Sequence, residues 1–371
     1  MTETEEHSAG HFEVIANDKG IRFHKPAGDV LHDPVIEPQL PGCNEVLLGL
    51  PFGECGGVRM ANQLIRTISD GSRAVYGNHE PTHGADSTAE FKRLGARFDL
   101  PPEEIPAGST YVISAHGAAP EISRRATERH LRVLDVTCPL VRKTHLAVEK
   151  AAEEEDTIVA YISFGDSSHP ELQGVIGLAE ETGVPLTVIS SPEDADELMG
   201  RLDSEVKVTV VGQTTNNSDE AQELAGYVGK LGAQGGIEVS REDANDVCHT
   251  VRDRQSSTRQ IVRLGVDSLV VVGSVNSKNT LSLAKVAAAE ALKTGSPLDI
   301  YLVNSWQQLP HLEGRVGVVS GASTLAENVE GVVARLNSPG ETIQVGEDTD
   351  RGRMFKPSHP ATREIISGLA S

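Results

Sequence analysis

Short apolar runs recur along this chain, and each is followed by a stretch with helical spacing. The first run is Val46–Leu50. Apolar residues then recur every three or four positions, at Val58, Ala61, Leu64, Ile65 and Ile68. Runs rich in Val and Ile continue the alternation from near residues 109, 131, 157, 206, 267 and 315. Such runs are typical of parallel strands buried on both faces, and helices between them predict right-handed crossovers. The predicted fold class is therefore α/β.

The length and the pattern together predict the domain organisation. The chain has 371 residues, which suits two or three domains of roughly 100–200 residues each. The alternation divides into three α/β domains at 43–140, 141–235 and 236–340. Residues 1–42, rich in Pro and His without a regular period, predict an irregular or partly wrapped N-terminal extension. Residues 341–371 predict an irregular C-terminal tail with one short terminal helix.

The charge balance excludes some classes of partner. Lys and Arg number 33 and Asp and Glu number 54, which gives a formal net charge of −21. Nucleic acids and anionic membrane surfaces need basic patches, so neither is expected as a partner. No run reaches the roughly 18 apolar residues of a membrane span, and the acidic N-terminus does not resemble a signal peptide. We expect a soluble cytoplasmic protein whose partner is a small molecule.

Polar residues follow six of the predicted strands in succession. They are His79 and His83, His116, His169 and Glu171, Gln213 to Thr215, Asn276 to Asn279, and Ser323. Ligands of open α/β sheets bind beyond the carboxyl ends of the strands, where such groups and helix N-termini can bind phosphate. Each position also has a simpler interpretation. The Ser, Thr and Asn residues can be helix caps, the histidines can be surface residues, and Glu171 can stabilise a helix N-terminus instead of moving protons.

Three cysteines lie just past strand-like runs, at Cys55, Cys138 and Cys248. Disulfide pairing would leave one of them unpaired, and a structural zinc site takes four protein ligands. Three separated thiolates instead suit an iron–sulfur cluster, and a cubane held by three cysteines has one iron free to bind substrate. The fourth cysteine, Cys43, is expected to take no part.

Seven motifs in order point to a known family. They are CGGV at 55–58, SAHG at 114–117, TCPLV at 137–141, HPE at 169–171, QTT at 213–215, GSVNSKN at 273–279 and GAS at 321–323. On these motifs, from about residue 45 to 338, the chain resembles the IspH/LytB family, the 4-hydroxy-3-methylbut-2-enyl diphosphate reductases of the non-mevalonate isoprenoid pathway.

The resemblance implies a fold and a set of site residues. The fold is a trefoil of three pseudo-equivalent α/β domains around a central [4Fe-4S] cluster, and Cys55, Cys138 and Cys248 match its ligands. Glu171 matches an acid that relays protons, with His169 beside it, and Thr215 matches a threonine near the substrate hydroxyl. The substrate-binding set, completed from the polar strand ends, is His83, His116, His169, Thr214, Ser277, Lys278, Asn279 and Ser323.

The implied activity is reductive dehydroxylation of the allylic diphosphate to isopentenyl and dimethylallyl diphosphate. Two electrons would come from ferredoxin or flavodoxin, and the open iron would act as a Lewis acid.

Several residues depart from the family pattern. They are Glu54, Gly56, Gly84, Gln173, Val175, His249, Val251, Arg252 and Lys278. These departures support an alternative, in which a paralogue uses the same cluster to reduce or dehydroxylate a different substrate, in secondary metabolism. Two other hypotheses are an iron–sulfur binding or sensing protein without turnover, and a cluster-free α/β protein with structural cysteines.

Overall fold

A computed structural model of the chain describes residues 22–24, 45–69, 74–80, 85–164, 167–241, 247–336, 342–350 and 362. Cys43 and the proposed substrate-binding residue His83 lie outside the described residues, as does most of the predicted C-terminal tail. Within the described residues, no helix combines the length and the apolar character needed to cross a membrane.

Strands and helices alternate along the described chain, as the sequence predicts. The strands are β1 Arg22–His24, β2 Glu45–Gly49, β3 Val75–Gly77, β4 Thr110–Ile113, β5 Arg132–Asp135, β6 Thr157–Ile162, β7 Leu186–Ile189, β8 Lys207–Gly212, β9 Glu238–Arg241, β10 Ser268–Val272, β11 Asp299–Val303, β12 Arg315–Ser320 and β13 Ile343–Val345. The α-helices are α1 Gly56–Ile68, α2 Ala85–Arg93, α3 Pro120–Glu128, α4 Pro139–Glu153, α5 Pro170–Thr182, α6 Pro192–Met199, α7 Ser218–Gly235, α8 His249–Arg263, α9 Lys278–Thr294 and α10 Ala326–Leu336. The α/β class is confirmed.

The strands form three sheets, and the strand pairs within them are parallel. The first sheet has the order β1-β11-β10-β12-β2-β13, the second β3-β4-β5 and the third β7-β6-β8-β9. The sheets divide between two compact units. One unit consists of Met1–Gly53 and Asp253–Thr349, and it contains the six-stranded sheet. The other unit consists of Glu54–Arg252 and Asp350–Ser371, and it contains the two smaller sheets. The trefoil and the three domain boundaries stay predictions.

Each sheet is covered by apolar residues on both faces. In β2, Val46 and Leu48 belong to one apolar cluster and Leu47 to another, because successive side chains of a strand point to opposite faces. The same division separates Ala160 from Tyr161 in β6. Burial on both faces explains why these strands appear in the sequence as continuous apolar runs rather than alternating ones.

Two pairings were not predicted. Three residues of the predicted N-terminal extension form β1, an edge strand beside β11. Strand β2 lies between β12 and β13, although residues of β12 are about 270 positions away in the chain. The strand that leads toward Cys55 therefore belongs to the sheet formed mainly by the C-terminal part of the chain.

Candidate active site

The three cysteines of the proposed cluster stand at the N-termini of three helices. Cys55 is the N-cap of α1, Cys138 is the N-cap of α4, and Cys248 directly precedes α8. All three are free thiols in partly buried residues. A helix N-terminus carries partial positive charge and unpaired N–H groups, so these positions favour thiolates and anionic groups.

The thiols influence one another electrostatically. Burial raises the pKa of Cys138, and negative charge on Cys248 and Cys55 raises it further. Burial likewise raises the pKa of Cys248 to about 11, with Cys55 adding to the effect and the Thr250 hydroxyl, 3.2 Å from the sulfur, opposing it. The three thiols therefore share one neighbourhood, in which three uncompensated negative charges are unfavourable and a bound cation or metal cluster would be favoured.

Backbone hydrogen bonds connect two of the cysteines to the other predicted site residues. The Cys138 N–H donates to the carbonyl of Ala115, directly before His116, at 3.0 Å. The Cys248 N–H donates to the carbonyl of Thr214 at 2.9 Å. The SAHG and QTT loops, which the sequence placed at strand ends, thus lie beside Cys138 and Cys248.

Glu171 is a buried carboxylate held by Thr214. The Thr214 N–H donates to Oε1 of Glu171 at 2.7 Å, and the Thr214 hydroxyl donates to Oε2 at 2.9 Å. The Glu171 residue is 0% exposed. It lies in the first turn of α5, as the simpler interpretation of the sequence had it, but its carboxylate is bonded to the loop after β8. That loop also carries the carbonyl bonded to Cys248.

His169 and His116 are adjacent. Their ring centroids are 5.7 Å apart with the ring planes at 83°. His169 is the N-cap of α5, and its Nδ1 accepts the Glu171 N–H at 3.3 Å. An Nδ1 that accepts carries no proton, so the neutral ring has its proton on Nε2, where it can donate.

The remaining members of the QTT motif differ in their hydrogen bonding. Gln213 accepts from the Ser163 hydroxyl at 2.8 Å and is fully buried. The Thr215 Oγ1 is buried and has no hydrogen-bond partner among the described residues. A buried hydroxyl without a partner costs free energy unless a ligand satisfies it, which fits the expected role of Thr215 near a substrate hydroxyl.

Two residues that shape the SAHG loop were not predicted from the sequence. Asn78 donates to the Gly117 carbonyl at 3.1 Å and accepts the Ser114 N–H at 2.9 Å, so it closes the turn that presents His116. His145 of α4 lies against Gly117, where a Cβ would be 3.2 Å from its ring, and Gly117 has φ +80°. Asn78 directly precedes His79 after β3, but the sequence interpretation considered only the histidines there. His79 itself is exposed and bonded to Asp99.

The other predicted phosphate-binding residues belong to the unit of the six-stranded sheet. Ser277 is the N-cap of α9, and Lys278 and Asn279 are its first two residues. Asn279 is 5% exposed, and both polar atoms of its amide lack a partner among the described residues. Ser323 follows β12 and is also buried. A buried amide that no described residue satisfies, at a helix N-terminus, fits a bound anion.

Three of the departures from the family pattern are parts of the scaffold. Val251 is 3% exposed and belongs to the apolar cluster around β6 and β8. Val175 is fully buried in the cluster on the opposite face. Gln173 donates to the Ser167 carbonyl at 2.7 Å from an exposed position. These three substitutions therefore give no support to a changed substrate pocket. The departures that remain lie beside or close to predicted site residues in the sequence, and they are Glu54, Gly56, Gly84, His249, Arg252 and Lys278.

Comparison with known proteins agrees with this arrangement. The LytB protein family model matches residues 46–337. The chain belongs to this family. One similar protein is 4-hydroxy-3-methylbut-2-enyl diphosphate reductase 2 of Burkholderia mallei. It is 32% identical over 304 residues, which cover 80% of this chain and 87% of the relative. The 4-hydroxy-3-methylbut-2-enyl diphosphate reductase of Acidothermus cellulolyticus is 32% identical over 334 residues, which cover 89% of this chain and 93% of the relative.

Solved structures share the fold. A structure of the E-1-hydroxy-2-methyl-but-2-enyl-4-diphosphate reductase from Plasmodium falciparum matches with a TM-score of 0.73 over 89% of this chain and 100% of the other, at 22% identity. A structure of (E)-4-hydroxy-3-methyl-but-2-enyl diphosphate reductase matches with a TM-score of 0.56 and 25% identity, and the match covers 79% of this chain and 99% of the other. The family resemblance seen in the sequence is confirmed.

The chemistry of the three thiols fits an iron–sulfur cluster, because Cys is the main ligand of such clusters. The three thiols interact electrostatically. Across the described parts of the chain, no three His, Cys, Asp or Glu side chains are grouped so that they could hold one metal ion.

Proposed function

We propose that this chain is an iron–sulfur reductase that converts 4-hydroxy-3-methylbut-2-enyl diphosphate to isopentenyl and dimethylallyl diphosphate by reductive dehydroxylation. Family membership and the names of the relatives support the substrate. The observation that carries the proposal is the buried Glu171 carboxylate, bonded to the same loop as Cys248. It combines a proton-transfer group with the thiols in one unit of the fold.

Cys55, Cys138 and Cys248 would hold a [4Fe-4S] cluster with one open iron, as the resemblance implies. When bound, such a cluster supplies electrons one at a time and a Lewis-acidic iron. We propose ferredoxin or flavodoxin as the electron donor and the cytoplasm as the location.

Glu171 is arranged to hold a proton on one defined oxygen. Its Oε1 faces the Thr214 N–H, which can only donate, so a proton on Oε1 would lose that bond. Its Oε2 faces the Thr214 hydroxyl, which can donate to a carboxylate or accept from a carboxylic acid. When protonated, the acid would carry its proton on Oε2, and the Thr214 hydroxyl would adapt to both protonation states by rotating.

His169 would contribute the second polar group beside this acid. Because its Nδ1 accepts the Glu171 N–H, the ring orientation is fixed by the start of α5. The Nε2–H would then donate to a diphosphate or hydroxyl oxygen. His116, edge to face with His169, restricts the ring further, and we propose that His83 joins these histidines in binding the diphosphate.

The diphosphate would be bound by Ser277, Lys278 and Asn279 at the N-terminus of α9, and by Ser323 after β12. The chain as a whole is strongly acidic, so an anionic substrate needs a local cationic site. Lys278 supplies a positive charge there, and the buried Asn279 amide supplies both a donor and an acceptor. The Thr215 hydroxyl, without a described partner, would bond the substrate hydroxyl.

The alternative of a different substrate has no support in the comparisons reported above. Those relatives are named for this diphosphate, and three of the substitutions that suggested the alternative lie in the scaffold. The experiment that separates the two is anaerobic cluster reconstitution, followed by incubation with the allylic diphosphate and a low-potential reductant. Conversion to the two isoprenoid diphosphates supports the proposal, and a loaded cluster without turnover overturns it.

A further inference from the structure

The N-terminus of the helix that follows Cys55 binds a carboxylate. The first helical N–H, that of Gly56, donates to both carboxylate oxygens of Asp350, at 3.2 and 3.1 Å.

Asp350 is a buried carboxylate that contacts the residue after Cys55. It is 2% exposed and belongs to the described part of the predicted C-terminal tail. Arg59 of α1 holds it in place, donating to its backbone carbonyl at 2.5 Å with a guanidinium nitrogen 3.5 Å from its Oδ1. The same guanidinium donates to the backbone carbonyl of Glu54.

Glu54 adds a second carboxylate, directly before Cys55 in the chain. Its Oε1 accepts from the Asn62 amide at 2.5 Å, and Asn62 is fully buried. Glu54 thus precedes Cys55 in the chain, and the Asp350 carboxylate contacts the residue after it. We call Glu54 and Asp350 the Cys55 carboxylate pair.

The charges of these side chains would affect the reduction potential of a cluster bound to Cys55. Net negative charge near an iron–sulfur cluster disfavours adding an electron, and hydrogen bonds to its sulfurs favour it. The carboxylate pair places two negative charges beside Cys55, and the Arg59 guanidinium places a positive charge there. The carboxylates lower the reduction potential, and the guanidinium raises it.

We propose that Glu54 and Asp350 are positioning and tuning residues that fix the Cys55 loop and hold the cluster at a low reduction potential. This inference rests on the proposed function, because it needs a cluster at Cys55. A lower potential makes the reduced cluster a stronger electron donor to the substrate. It also requires a correspondingly strong physiological reductant.

The test is a potentiometric titration of the reconstituted full chain, monitored by electron paramagnetic resonance at one fixed pH. Glu54→Gln and Asp350→Asn each keep the size of the side chain and an acceptor oxygen while removing the charge. Both should shift the potential positive, and Arg59→Gln should shift it negative. The matched control is Asp99→Asn, which removes an exposed carboxylate and should leave the potential at the wild-type value.

The readouts separate this inference from the proposed function. Iron and acid-labile sulfide are measured for every variant. A full cluster whose potential is unchanged in both Glu54→Gln and Asp350→Asn overturns the inference and leaves the proposed function standing. A wild-type chain that takes up no cluster overturns both. If Asp350→Asn does not fold, the reduction potential of Glu54→Gln alone decides: a positive shift supports the inference, and an unchanged potential overturns it.

Discussion

Thr214 donates twice to Glu171, through its backbone N–H at 2.7 Å and through its hydroxyl at 2.9 Å. The two bonds fix a fully buried carboxylate and assign different roles to its two oxygens. One oxygen faces a group that can only donate, and the other faces a group that can also accept.

Glu171→Gln should abolish most turnover and leave the cluster in place. A positioned general acid contributes typically about 10²- to 10⁴-fold to the rate, and an amide cannot supply that proton. The Thr214 N–H can still bond the amide oxygen and the Thr214 hydroxyl can accept from the amide nitrogen, so folding should be retained. We expect kcat to fall at least about 100-fold, with KM and iron content near wild type. Glu180→Gln, on the exposed side of the same helix, is the matched control, and equal losses in both variants would contradict the assignment.

Thr214→Val should destabilise the fold at Glu171. The change removes the hydroxyl, keeps the backbone N–H and leaves Oε2 with one fewer donor. A hydrogen bond to a charged group contributes about 1.5–3 kcal/mol, so we expect the free energy of unfolding to fall by about that amount. Urea unfolding followed by circular dichroism measures it. Thr214→Ser retains the hydroxyl and should lie within about 1 kcal/mol of wild type; a Ser variant as unstable as the Val variant would show that the hydroxyl is not the cause.

Asn279→Ala should weaken substrate binding without destabilising the chain. Its buried amide has no described partner, so truncation breaks no hydrogen bond within the described protein. KM for the diphosphate should rise about tenfold or more, which corresponds to about 1.4 kcal/mol, while the melting temperature stays at or above the wild-type value. Asn78→Ala is the comparison, because that amide bridges Gly117 and Ser114 and its loss should lower the melting temperature. A large fall in stability for Asn279→Ala, with KM unchanged, would refute the binding role.

His145 should make the fold sensitive to acid. Burial lowers its pKa from 6.5 to about 4, with Arg142 adding to the effect. The unfolded state therefore binds a proton that the folded state does not, so stability is fully present above pH 6.5 and decreases as the pH falls toward 4. At 1.36 kcal/mol per pKa unit the loss amounts to about 3 kcal/mol. His145→Gln should flatten the decrease in unfolding free energy between pH 6.5 and 4, whereas His311→Gln, at an exposed histidine, should not.

The pattern of polar residues after predicted strands indicated much of the site, because the carboxyl ends of parallel strands lie at the same edge of a sheet. This pattern predicted His116, His169 and Thr214 as site residues, and the structure groups them around the buried carboxylate of Glu171, which it also predicted. It missed the edge strands β1, β7 and β13 and the inner strand β11, which are short or only partly buried and so lack a strong apolar signal. It also missed the position of β2, because a pairing across about 270 residues leaves no local pattern.

The sequence interpretation was less reliable about substituted residues. Val251 and Val175 are among the departures that supported a different substrate, whereas the structure buries both among apolar side chains. A hydrophobic residue in a motif looks the same in the sequence whether it faces a ligand or the core. Asn78 and His145 were missed for the converse reason, since a residue that shapes a loop from another element carries no motif of its own.

Anaerobic turnover with product analysis tests the central claim most directly. Reductive dehydroxylation consumes two electrons and two protons, replaces the hydroxyl by hydrogen and releases water. In deuterium oxide, the reconstituted chain supplied with the allylic diphosphate and a low-potential reductant should therefore yield isopentenyl and dimethylallyl diphosphate with one deuterium at carbon per molecule. Unchanged substrate after incubation with a chain that carries full iron and sulfide would contradict the account.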